Sequence, residues 1–180
     1  MTEEVMTGTP GALLVQVFLS SAVVRGLASV ADGRRLTDVL NGVDEFLELE
    51  TASFSFGSRE TDLASVALEK AEIVAAIPWE TRDQDRQRRI TSFGGRTRTM
   101  QVPALLYVPP YLIEGSIHLS GDPSLTRTLN ASPTLFPRFF PVTDARIVRE
   151  DGKLVRSQIV VVNRDRVASI GRLPADSAPS

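Results

Sequence analysis

The sequence predicts a mainly β fold: two tandem small β-modules of about four to five strands each, open barrels or rolled sheets, with one short helical turn per module. Three observations lead there. The chain repeats itself, its apolar runs are short and β-rich, and Gly, Pro and Asp-Gly punctuate those runs at strand-length intervals. At 180 residues, 42% apolar and 23% charged, it has the balance of an ordinary globular chain.

The repeat comes first. Shifting the chain by 89 lays Val15–Asn41 over Ala104–Asn130, with Gly26 on Gly115, Leu36 on Leu125, Thr37 on Thr126, Leu40 on Leu129 and Asn41 on Asn130. Apolar character is kept at Phe18/Tyr107, Leu19/Val108, Val23/Leu112, Val24/Ile113 and Val30/Leu119. A shift of 93 lays Phe46–Ala52 over Phe139–Ala145, and one of 86 lays Ile73-Val74 over Ile159-Val160. Changing offsets are what insertions in connecting loops produce.

Each copy opens with two strands, Leu13–Leu19 and Val23–Val30, then Ala104–Val108 and Leu112–Leu119. The helical turn follows, with Leu36 and Leu40, or Leu125 and Leu129, at i and i+4 on one face. Asp122-Pro123 supplies an N-cap and first helical residue in the second copy. Asn130, and Asn41 with Gly42, are expected to end the turn in the left-handed conformation. A third strand follows over Phe46–Phe56 or Phe139–Val148. Asp151-Gly152 predicts a type I′ hairpin turn into Leu154–Val162, with Val167–Ile170 as a further strand. Residues 61–76 have helical propensity, the repeat argues for a strand over Glu72–Ile77, and 61–70 stay open.

This divides the chain into a disordered N-terminus (1–12), module 1 (13–80), an Arg-rich linker (81–101), module 2 (102–172) and a disordered tail (173–180). Residues 1–80 carry 5 basic and 13 acidic side chains, net −8; residues 81–180 carry 15 and 9, net +6. Opposite fields of this size favour docking of one half on the other or on a neighbouring copy. The apolar stretch Ala12–Val24 is preceded by acidic Glu3-Glu4 and interrupted by Gln16, so it fits neither a signal peptide nor a membrane span. A soluble, cytoplasmic protein without membrane insertion is expected.

Arg35-Leu36-Thr37-Asp38-Val39-Leu40-Asn41, with Gly26 before it and Phe46-Leu-Glu-Leu after it, resembles a family of small bacterial domains of unknown function. Their signature is similar to Arg-Leu-Ser/Thr-Asp-x-Leu-Asn between strands, followed by a strand ending in an Asp-Ala-like pair. Copy two departs from the first motif at Ser124 and Arg127, while Thr143-Asp144-Ala145 fits the later one better than Glu50-Thr51-Ala52 does. The resemblance implies a fold and no activity.

The chemistry-bearing residues are few. There is no Cys, which excludes thiol catalysis, disulfides and Cys-based zinc sites. His118 is the one imidazole; without positioned partners it is read as structural. Asp38 has no neighbouring group in sequence to tune it and is Arg127 in copy two; it is read as an i, i+3 surface ion pair with Arg35. Asp44, Glu45, Glu48 and Glu50 are read as a solvated face, because no calcium-loop spacing accompanies them. No metal and no cofactor is expected.

Arg82, Arg86, Arg88, Arg89, Arg96 and Arg98 flank Gly94-Gly95 in the linker and form a possible anion-binding segment. Arg82 and Arg86 followed by Ser92 and Gly95 resemble the cyclic-dinucleotide signature of PilZ domains, with Ile90 as the departure. The function expected is therefore a non-catalytic protein–protein interaction or assembly module built by internal duplication, with a protein partner or self-association. The alternative is a regulatory binder of an anionic ligand, nucleotide or nucleic acid through those arginines.

Overall fold

The structure, a computed structural model, describes residues 11–30, 34–79, 99–120, 124, 127, 130 and 137–174. It is mainly β, with one short helix and one continuous antiparallel sheet of ten strands among the described residues. In chain order the elements are β1 (Ala12–Phe18), β2 (Ala22–Ser29), α1 (Leu36–Leu40), β3 (Phe46–Phe56), β4 (Arg59–Glu69) and β5 (Ala75–Pro78). Then come β6 (Thr99–Val108), β7 (Tyr111–Ser120), β8 (Phe139–Arg149), β9 (Leu154–Asn163), a 3-10 turn at Arg164–Arg166 and β10 (Ser169–Arg172). Across the sheet the order is β10-β6-β7-β8-β9-β5-β1-β2-β3-β4.

The two halves are not separate sheets, as the sequence suggested. They join edge to edge where β5 pairs β9, Ala75 opposite Val162 and Ala76 opposite Val161. Within each half, strand order and register coincide. Leu13 to Phe18 pair β2 as Val102 to Tyr107 pair β7, and Phe46 faces Glu69 as Phe139 faces Asn163. The correspondence runs into the loops: Val74 N–H donates to Phe18 O as Ala168 N–H does to Tyr107 O, both at 2.9 Å.

This register corrects the alignment of Ile73-Val74 with Ile159-Val160. Val15 and Phe18 pair with Pro78 and Ala75, while Ala104 and Tyr107 pair with Arg172 and Ser169, so the counterpart of β5 is β10. Likewise β4 is the counterpart of β9. Residues 61–70, whose composition favours a helix, form strand because β4 pairs β3 along its whole length and sets Leu63, Val66 and Leu68 against the core. Tertiary pairing overrides weak local propensity.

The strongest shared detail is a β-bulge. The β2–β3 register slips at Gly26, where Thr51 takes φ 46°, and the β7–β8 register slips at Gly115, where Asp144 takes φ 51°. A Cβ on Gly26 would lie 3.0 Å from Leu49 Cβ and 3.1 Å from Glu50 O; one on Gly115 would lie 2.6 Å from Val142 Cγ1 and 2.8 Å from Thr143 O. The glycine lets the bulged strand approach its neighbour, and the left-handed residue re-aims it. Thr51, β-branched at positive φ, is strained by about 1–2 kcal/mol. Thr51→Gly is therefore expected to raise the midpoint of thermal unfolding by a few degrees; a lower midpoint would show that the threonine contributes packing that outweighs its strain.

Two local expectations need correction. Asn41 closes α1 at φ −85°, not in the left-handed region. At the β8–β9 turn only Gly152 has positive φ, 78°, and its N–H donates to Arg149 O at 2.9 Å. A type I′ turn needs positive φ at both central residues, so this is the longer connection in which a single left-handed glycine closes the loop.

Two apolar clusters form the core, and the seam strands serve both. Ala75, Ile77, Val160 and Val162 point into the cluster of the second half, with Leu106, Ile113, Phe140 and Ile147. Ala76, Val161 and Phe139 point into that of the first half, with Val15, Leu36, Leu40 and Leu49. The two cores thus lie on opposite faces of one sheet at the seam, where β5 and the last residues of β9, Val160 to Val162, are buried on both sides. Among the described residues no helix is long and apolar enough to cross a membrane.

Candidate assembly surface

The residues that hold the halves together are polar side chains at strand and helix ends, each placed by the element it terminates. Asn41, directly after α1, donates from Nδ2 to Phe139 O at 2.7 Å and accepts Phe139 N–H on Oδ1 at 2.9 Å. Both backbone groups of a fully buried residue at the start of β8 are satisfied by one amide of the other half. The same Nδ2 donates to Thr37 O at 2.9 Å, which fixes the amide to its own helix. Asn163, at the end of β9 and fully buried, donates to Ile73 O at 2.9 Å and Lys70 O at 3.3 Å, while its N–H donates to Val74 O at 3.0 Å.

Arg166 extends from the turn after β9 to Glu72, Nη1 to Oε2 at 3.5 Å, and donates from Nη2 to Ser20 Oγ at 2.7 Å. Tyr111 packs edge-on against Phe18, centroids 5.5 Å apart, and its hydroxyl donates to Leu19 O at 2.8 Å. Burial pushes the Tyr111 hydroxyl's pKa above its usual 10.0. The unfolded chain therefore ionises first, and stability present below pH 10 is lost as pH rises through the folded-state value. Tyr111→Phe is expected to cost about 1 kcal/mol at neutral pH and to lose less stability than the parent above pH 10. Parallel alkaline limbs in urea melts of the two proteins would refute this.

Lys70, buried at the end of β4, donates to Val39 O at 2.9 Å and Gly42 O at 3.3 Å at the C-terminal end of α1. There an ammonium meets helix-end carbonyls and the negative end of the helix dipole. Burial lowers its pKa, opposed by nearby Asp44.

The residues singled out by sequence divide three ways. Leu36, Leu40 and Asn41 converge on the seam. Asp38 caps α1: Arg35 N–H donates to its Oδ2 at 2.9 Å. Asn130 is described and exposed, whereas Leu125, Leu129 and all six linker arginines, Arg82, Arg86, Arg88, Arg89, Arg96 and Arg98, lie outside the described residues. His118 Nε2 sits 2.9 Å from Thr143 Oγ1, next to the second bulge, in a bond between neighbouring strands. Asp44, Glu45, Glu48 and Glu50 are exposed, and no group of three or more potential metal ligands occurs among the described residues.

Phe139, Asn163, Tyr111, Lys70 and Arg166 were not legible as functional residues. The one signal available was that Asn41 and Phe139 each have a counterpart of the same type, Asn130 and Phe46. No family model, no curated protein and no solved structure matches the chain.

Proposed function

We propose that the protein is a non-catalytic assembly module, built by duplication of one β-unit, that works by lending sheet edges to protein partners. The observation that carries this reading is the sheet's pair of outer strands. Neither β4 nor β10 pairs on its outer side with any described residue, and an unpaired edge is a template for another strand. The unequal charge of the two halves, −8 and +6, supports it by giving the edges different electrostatic surroundings. The family resemblance of the Arg35–Asn41 segment agrees with a duplicated β-unit and adds no activity.

Purification at moderate salt, followed by mass spectrometry and light scattering, tests the reading. A multi-copy assembly or a stoichiometric protein partner is the expected result. A monomer that retains no protein overturns it. So does a bound nucleotide or nucleic acid that is lost when Arg86, Arg88 and Arg89 are changed to Glu, which would move the function to the linker.

A further inference from the structure

Resting on that reading, we propose that the partner of these edges is a second copy of this chain, joined head to tail by β10 of one copy pairing antiparallel with β4 of the next. The chain already contains this contact once. The seam joins β5 to β9, and β5 is the counterpart of β10 while β9 is the counterpart of β4. The seam is therefore heterologous: its two sides are different edges of the repeated unit. A heterologous contact leaves its complementary edges unused at the two ends, and those ends fit each other by the same operation.

The internal register specifies the external one. Where Ala76 faces Val161, Ile170 faces Ala67 of the next copy; where Ala75 faces Val162, Ser169 faces its Leu68. Ala67 is exposed, while Val161, its counterpart, is buried in the first half's core.

One polar feature recurs with it. Asn130 occupies the place of Asn41, and Phe46 occupies the place of Phe139 and is 51% exposed where Phe139 is fully buried. In the assembly Asn130 holds Phe46 of the next copy as Asn41 holds Phe139.

One position differs. Glu69 stands where Asn163 donates to two carbonyls, and a carboxylate cannot donate, so the contact between copies is weaker than the seam and depends on concentration.

Sedimentation velocity of the full chain from about 1 to about 200 µM, a range suited to contacts of moderate affinity, is expected to show growth beyond a dimer. Ala67→Pro, which removes an outward N–H without touching the β3–β4 ladder, and Asn130→Ala are each expected to hold the chain at monomer while leaving its melting temperature within about 2 °C. Because the chain has no cysteine, mixing Ala67→Cys with Ile170→Cys under oxidising conditions should give a disulfide-linked pair of the two variants. Should Ala67→Pro fail to fold, Asn130→Ala and the cysteine pair decide the matter. A monomer at every concentration overturns the inference, as does a two-fold dimer indifferent to these substitutions. A monomer that nonetheless binds a different protein stoichiometrically also overturns it, while leaving the assembly function standing.

Discussion

Gly115→Ala is expected to cost about 3 kcal/mol, and Gly26→Ala, at the equivalent bulge, about 1 kcal/mol. The chemistry of the substitution is the same, so the difference isolates the space around the two glycines. The new methyl at Gly115 meets Val142 Cγ1 at 2.6 Å and the main-chain oxygen of Thr143 at 2.8 Å; at Gly26 the nearest atoms lie at 3.0 to 3.2 Å. A valine methyl can rotate away, but a carbonyl held in a sheet cannot move without breaking the ladder on its far side. Ala145 Cα, at 3.2 Å, blocks retreat along the strand. For a chain of this length 3 kcal/mol corresponds to a melting temperature lower by roughly 10 °C. Urea melts with unchanged slope would place the loss in the folded state. Equal losses at the two glycines, or a larger one at Gly26, would sink the argument.

These bulges also mark how far the sequence could be read. Pairing Gly26 with Gly115 and Thr51-Ala52 with Asp144-Ala145 was visible as a repeat, because a residue that backbone geometry requires recurs in both copies. Some strand limits were visible too: Phe46–Phe56 is the observed β3, whereas β6 begins at Thr99, inside the segment read as linker, and not at Ala104. The continuity of the sheet was not. Nothing in the local pattern distinguishes a strand that ends a sheet from one that meets another half, since that depends on which edge lies uncovered after each half has curled. Ala75 and Ala76 illustrate the difficulty, being small apolar neighbours buried in different cores. The seam was hidden for a related reason. Asn41 looked like a helix stop because Asn commonly ends helices, and its contact is 98 residues away. Lys70 and Arg166 carried no signal, since charged residues at strand ends usually face water.

Asn41→Ala is expected to destabilise the folded chain by about 3 kcal/mol. The substitution removes one donor and one acceptor from Phe139, whose N–H and C=O are then left at the seam beneath the first half's core. Each stranded backbone group costs about 1–2 kcal/mol, because water recovers only part of the lost bond. The bond from Nδ2 to Thr37 O is lost as well, but it lies at an exposed helix end and contributes little. Asn41→Asp restores only the Phe139 N–H bond and sets a carboxylate against Phe139 O, so it is expected to recover part of the loss. Asn130→Ala gives the contrast that makes this a test of the seam and not of helix ending. Both asparagines hold the same place in the repeat, so a helix-ending role predicts similar costs. A seam role predicts that Asn130→Ala leaves the melting temperature of the dilute protein nearly unchanged, because its counterpart of Phe139 belongs to another copy. Thermal and urea unfolding of the two variants at low protein concentration decide between them, and equal destabilisation would return both residues to the helix.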